Sequence, residues 1–500
     1  MSTTRPSGRA VTLLALACSL AVFAMFAWPA GSLLRYPWDW APDEGLSLDY
    51  GRRVLEAPAA LYAKSAVPFP SAWGPVLPVV MAPAAASSAP LLTARLIALS
   101  WTVAGALAVF VLVRREGSRA LALATSALAL GNLDLSFFHL ILRPDGLLLT
   151  LWLWAAVALL PRRLERSADR LSAPRIAAGC VLLLLAALVK MTAVLHGAPL
   201  VLGWLLVDYR SAARLVAALV ATGGLAVFAL QWATSGGFLW VTFLWGHHSF
   251  IAGQTLFLLL YVLIRAWPIV VLVLVGVLAA RRAGHAPHGE SAWLLVAGAL
   301  LIVPALGKFG ASWNYLLPLV AALAVAAGRL LATAVTPSLP RDAGALAVAA
   351  VAVAVAAVSH FPLPSAEDER TAASFYSMVT AISARAQAPI LALRPELAYF
   401  LVGQPTEVEG SGFESLAADG VPGTELVLDR LRGRRYSLVV VMWNIPTTPQ
   451  WIEALGTGYA KVASCSLGYY FGRFDARLFA RSDLGVRVQP PGDTRCRAQP

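Results

Sequence analysis

The sequence predicts a polytopic all-α membrane domain of about eleven transmembrane helices with a large first outer loop, followed by a small α/β extracytoplasmic domain. Composition is the first reason: 59% of the 500 residues are hydrophobic and 13% charged, against roughly 25% charged in a soluble domain. The second is length, because apolar runs recur from Val11 to about Val358, most of them long enough for a hydrocarbon core of roughly 30 Å. The third is that this pattern stops after His360. A membrane domain over 1–361 and a soluble domain over 362–500 follow.

A net charge of +12 would suggest nucleic acid as a partner in a soluble chain. Here the cations gather in short connections between apolar runs, at Arg5 and Arg9, Arg114 to Arg119, Arg162 to Arg175, Arg210 and Arg214, Arg281 and Arg282, and Arg329 and Arg341. They are topology signals marking cytoplasmic loops, and no nucleic acid is implied. The N-terminus is then cytoplasmic, the C-terminal domain extracytoplasmic, and the chain a multi-pass protein of the plasma or inner membrane. The first run, Val11 to about Gly31, exceeds the roughly 7 to 15 residues of a signal-peptide core and stays as an anchor.

The first helix exits near Leu33, and the chain remains outside to about Leu91. Within that loop Leu46, Tyr50 and Val54 recur every four residues between Arg52, Arg53 and Glu56, the pattern of an amphipathic helix lying in the interface. The segment 75–88 is apolar but short and rich in Pro and Ala, a second surface or re-entrant helix. Spans follow over 92–113, 119–139, 146–161, 176–190, 193–208, 213–232, 267–280, 291–307, 314–332 and 342–359. Because Arg265 is costly at the centre of a span, a juxtamembrane helix is expected to end there. Beyond 362, strands are expected over 389–393, 437–442 and 469–480, and helices over 372–386, 424–431 and 449–455. Cys18 and Cys180 lie in apolar spans, whereas Cys465 and Cys496 fall in the outer domain, where a disulfide and two free thiols are both open.

This topology gathers Asp43, Glu44, Asp49, Arg143, Asp145, Lys190, His247, His248, Lys308, Asn314 and Tyr315 on one side of the membrane. Carboxylates can serve as general bases toward an acceptor hydroxyl or amine, and Arg and Lys can hold a phosphate and its developing charge. Together they suit sugar transfer from a lipid-linked phosphate donor. Each also has a purely structural reading. Asp43 and Glu44 would cap the helix that follows, Arg143 and Asp145 would pair or cap the next span, and Lys190 and Lys308 would snorkel. His247 and His248 lack further ligands at a recognisable metal spacing.

Pro42-Asp43-Glu44 with Tyr50-Gly51-Arg52-Arg53, Trp73 to Pro78, Arg143-Pro144-Asp145, Lys190-Met191-Thr192, and Lys308 to Pro318 with Asn314-Tyr315 together resemble the GT-C superfamily of membrane glycosyltransferases. The similar branch contains protein O-mannosyltransferases and lipid A aminoarabinose transferases. The resemblance implies a polyprenyl-phosphate-linked sugar as donor and the acid of the first outer loop as catalytic base, Asp43 here with Glu44 beside it. Gly74-Pro75 stands where relatives carry paired prolines. The expected function is therefore an inverting glycosyltransferase acting at the outer face. Asp43 deprotonates a lipid, polysaccharide or protein acceptor, and Arg143, Lys190 and Lys308 hold the donor phosphate. The arrangement calls for no cofactor, since these cations take the charge, though it leaves room for a divalent metal. A lipid or sugar transporter or flippase, or a non-catalytic envelope assembly protein, is the alternative. Neither inverted repeats nor discontinuous helices, which a transporter would favour, are visible.

Overall fold

The computed structural model describes every residue except 1–7, 42, 66, 72, 133–136, 162–163, 165–169, 245–249, 288–289, 309–310, 335–341, 360, 387, 394–395, 409–422, 443–448, 470–471, 490–493 and 499–500. Helix α1 (Gly8–Arg35) leads into a loop carrying α2 (Asp43–Glu56) and α3 (Val76–Ala85). The bundle continues with α4 (Pro90–Arg114), α5 (Arg119–Gly131), α6 (Pro144–Leu159), α7 (Ala173–Val189), α8 (Ala193–Val207), α9 (Tyr209–Ala233), the short α10 (Gly237–Leu244), α11 (Ala252–Arg282), α12 (Trp293–Leu300), α13 (Leu317–Thr333) and α14 (Ala343–Val358). Among the described residues, five helices are long and apolar enough to cross a membrane, and seven shorter ones are apolar. With α3 set aside, at roughly 15 Å too short to span, eleven remain for the bundle. The chain is a multi-pass membrane protein.

The C-terminal unit contains α15 (Ala366–Ala386), β1 (Ile390–Leu393), α16 (Leu397–Leu401), α17 (Thr424–Arg432), β2 (Leu438–Met442), α18 (Pro449–Gly458), β3 (Tyr459–Tyr469), β4 (Gly472–Arg481) and β5 (Cys496–Ala498). The sheet runs β1-β2-β4-β3-β5, with β1 and β2 parallel and the other pairs antiparallel. Alternate residues of β2 serve opposite faces, as strand geometry requires. Leu438 and Val440 pack with Phe375, Val379 and Leu478, whereas Val439 and Val441 pack with Val427, Leu431 and Trp451. A disulfide joins Cys465 of β3 to Cys496 of β5.

The two parts share a core. Leu48 of α2 belongs to the first of those faces, and Leu46 and Tyr50 to the second. The α1–α2 connection adds polar ties: Trp38 stacks on Tyr376 at 5.2 Å between centroids, Asp39 accepts from the Tyr376 hydroxyl at 2.6 Å, and Trp40 donates to the Pro362 carbonyl at 3.0 Å.

Four expectations from the sequence need correction. Helix α2 is not a surface helix with one face left to water or lipid. Its residues Glu44 to Gly51 are all buried, because both of its faces are covered, and Gly45 passes so close to the Glu396–Leu397 backbone that a Cβ would collide with it. The strand expected over 469–480 is the end of β3 joined to β4, and β3 itself went unrecognised because its Ala-, Ser- and Gly-containing run carries little strand signal. Arg265 does not end a helix. Helix α11 runs unbroken for 31 residues, and Arg265 lies about 26 Å from its Arg282 end at 1.5 Å per residue, near the limit of the hydrocarbon thickness, exposed and set over the Tyr261 ring. Arg329 marks no loop: it is buried inside α13, 2.7 Å from Glu290 and also paired with Glu116. Its expected companion Arg341 lies outside the described residues.

Candidate active site

Four connections deliver the polar groups to one end of the bundle. Asp43 opens α2, Arg143 immediately precedes α6, Asp145 lies in the first turn of α6, Lys190 follows α7, and Asn314 and Tyr315 sit on the 3-10 turn Trp313–Leu316 ahead of α13. Pro144 explains the second of these: it fixes the first helical turn and keeps Arg143 extended, at φ −109° and ψ 152°. The Ser47 hydroxyl donates to the Leu142 carbonyl, which ties α2 to the start of α6.

Asp145 is the hub. Its buried carboxylate accepts from Lys190 Nζ at 2.8 Å and Asn314 Nδ2 at 2.6 Å, and Arg143 Nε stands 3.9 Å away. Arg143 Nε is 3.2 Å from Asp43 Oδ2, so the guanidinium spans both carboxylates while its plane lies over Phe138. Lys190 Nζ also sits 3.7 Å above the Tyr315 ring centre, a cation–π contact that fixes its position. Lys308 lies beyond the turn Val303–Gly307, its backbone carbonyl accepting from Gln254 of α11. Burial, with the charge of Lys190 nearby, pushes its ammonium down to about 8. Arg143 and Lys190 thus meet the two carboxylates, and Lys308, near enough to Lys190 to feel its charge, adds a further cation that suits an anion.

The other expected residues lie elsewhere. Glu44 is fully buried, with its carboxylate accepting from Arg95 Nε at 2.9 Å and Nη2 at 2.7 Å and from the Trp40 amide at 2.6 Å. Asp49 is likewise buried, paired with Arg52 and Arg53 at 2.6 Å each and accepting from the Thr406 amide at 3.0 Å. Both tie α2 to its surroundings. His247 and His248 lie outside the described residues. Among the described residues, no group of three or more His, Cys, Asp or Glu side chains could hold a metal ion.

Sequence reasoning missed Arg95 and His139. An arginine within the apolar run of α4 was itself the signal, since an ionisable residue there needs a partner. His139 is buried, its carbonyl accepting from Trp101 at 3.0 Å and Thr102 at 3.1 Å. Nothing in the sequence placed it beside Asp145.

ArnT from Cupriavidus metallidurans in the apo state superposes with a TM-score of 0.59 over 93% of this chain and 97% of that one, at 15% identity. The same protein bound to undecaprenyl phosphate gives 0.59 at 14% identity with the same coverage. The chain therefore shares the fold of ArnT. The oligosaccharyltransferase of Archaeoglobus fulgidus, in complex with Zn and sulfate, shares it with a TM-score of 0.52 at 13% identity, over 95% of this chain and 74% of that one. No family model and no curated protein sequence matches the chain. The superposition with ArnT covers 93% of this chain, so the fold is shared along nearly its whole length.

Proposed function

We propose that the protein is an inverting membrane glycosyltransferase that moves a sugar from a polyprenyl-phosphate donor to an acceptor at the outer face of the membrane. The observation that carries the reading is the convergence of Asp43, Arg143, Asp145 and Lys190 by ion pairs at one end of the bundle, with a surplus cation at Lys308. The fold is that of ArnT, which has been seen with undecaprenyl phosphate. In this reading Asp43, partly exposed at the start of α2, takes the proton of the acceptor hydroxyl or amine. The acceptor atom bonds to the anomeric carbon, the carbon–oxygen bond to phosphate breaks, and its electrons stay on the phosphate. Arg143, Lys190 and Lys308 hold that phosphate as its charge grows. Asp145 fixes Lys190 and Asn314 and need not touch the substrate.

Loop charge supports a cytoplasmic N-terminus, a membrane catalytic domain over 1–361, and an extracytoplasmic domain over 362–500. The test is transfer of labelled sugar from polyprenyl phosphate in membranes. Asp43→Asn keeps size but removes the basic oxygen, so turnover should fall roughly a hundredfold or more with protein level and donor binding retained. Near-parental transfer by a well-expressed Asp43→Asn protein removes Asp43 from the mechanism.

A further inference from the structure

The geometry points to Arg143 as a latch on the base: without donor it holds Asp43, and the donor phosphate draws it away, so that Asp43 becomes available only when the donor is in place. This rests on the donor reading above and adds an order of events to it.

The partners of each charge carry the argument. Asp145 has both oxygens engaged without Arg143, one by Lys190 at 2.8 Å and the other by Asn314 at 2.6 Å. Lys190 is held from the other side by the Tyr315 ring. That pair is locked. Asp43 differs, because among the described residues the cation paired with it is Arg143, at 3.2 Å. Both side chains of this pair keep some exposure, 17% for Arg143 and 16% for Asp43, as does Lys190 at 15%, against 7% for Asp145. A ligand entering the site therefore meets Arg143, Asp43 and Lys190 before the Asp145 carboxylate.

The two members also differ in freedom to move. Asp43 is fixed with α2, which is pinned by Glu44 to Arg95, by Ser47 to the Leu142 carbonyl, and by Gly45 against the Leu397 backbone. Arg143 reaches the site on a long side chain lying over the Phe138 ring, a contact that tolerates rotation of the guanidinium about its own chain. A phosphate offers that guanidinium two oxygens of one group for its planar fork. When the guanidinium turns to the phosphate, the Asp43 oxygen it covered is free for the acceptor proton. An acceptor arriving first finds the base occupied.

The test reads the accessibility of Asp43 and needs no acceptor. The full-length protein in detergent is labelled with a water-soluble carbodiimide and an amine, and modification at Asp43 is measured by peptide mass spectrometry. Undecaprenyl phosphate is the probe and undecaprenol the control without phosphate, and lipid retained on the protein is quantified in parallel. Undecaprenyl phosphate is expected to raise Asp43 labelling about fivefold, the population ratio set by an ion pair of ordinary strength, while undecaprenol leaves it unchanged. Arg143→Gln should start at the raised level and gain nothing from the lipid, and Arg143→Lys should restore part of the protection. Bound undecaprenyl phosphate that leaves Asp43 labelling unchanged or lowers it overturns the latch and leaves the donor reading intact. Failure of undecaprenyl phosphate to bind overturns both.

Discussion

Replacing Glu44 by Gln should damage the fold and leave the chemistry alone, and the Arg95 neighbourhood sets the size of the effect. Arg95 has five N–H donors, and each has an acceptor: Nε and Nη2 reach Glu44, Nη2 also reaches the Trp38 carbonyl, and Nη1 reaches the Leu33 and Tyr36 carbonyls. Both side chains are fully buried. Gln keeps one carbonyl oxygen but turns an NH2 group toward the guanidinium or the Trp40 amide, so two donors face each other and a buried cation loses its counter-charge. Breaking one side of such a pair costs on the order of 3–5 kcal/mol. The loss should appear as a lower apparent melting temperature of the detergent-solubilised protein, read as loss of the monodisperse peak after heating. Asp43→Asn should melt like the parent, since Asp43 is partly exposed. A double-mutant cycle with Arg95→Met should give a coupling of the same order. A Glu44→Gln protein that melts like the parent yet has lost sugar transfer would refute this reasoning and move the base from Asp43 to Glu44.

Three further outcomes follow from other contacts. Lys308, held near 8 by burial and by Lys190, is a cation below that pH and neutral above it. The donor KM should therefore rise above about pH 8, approaching about tenfold per pH unit, and Lys308→Arg, which stays charged, should flatten the profile; a parental profile already flat to pH 10 would count against a phosphate role. Burial raises the Asp39 carboxyl to about 7 from 3.8, so its native form binds the proton more tightly than the unfolded one. The stability it contributes is full below about pH 4 and lost as pH rises to 7, by up to about 4 kcal/mol, and melting curves at pH 5 and pH 8 should differ less for Asp39→Asn than for the parent. Gly45→Ala places a Cβ against the Leu397 backbone and should cost about 1–3 kcal/mol, detected as faster proteolysis at the α2–α16 contact; unchanged proteolysis would show that this contact yields freely.

What the sequence by itself determined is whatever one stretch of chain can carry. Apolar runs of spanning length and the change of composition after His360 defined the helical bundle and the C-terminal α/β unit, because burying backbone in a membrane imposes a length and a hydropathy on each segment. Loop charges then placed Asp43, Arg143, Asp145, Lys190, Asn314 and Tyr315 on one side, and the structure brings them within contact of one another. The tertiary structure decided the division of labour among neighbours in sequence. Asp43 and Glu44 are adjacent acids, yet one meets Arg143, 100 positions away, and the other is enclosed by Arg95, 51 positions away. Helix α2 has the periodicity of a surface helix but lies between two faces of a core, since periodicity reports that one face is apolar and not that the other is left to water. The span of α11 past the bilayer, the strand β3 and the buried Arg329 are of the same kind. Each depends on partners supplied by distant segments, and the energy of such a contact appears only once the chain has closed on itself.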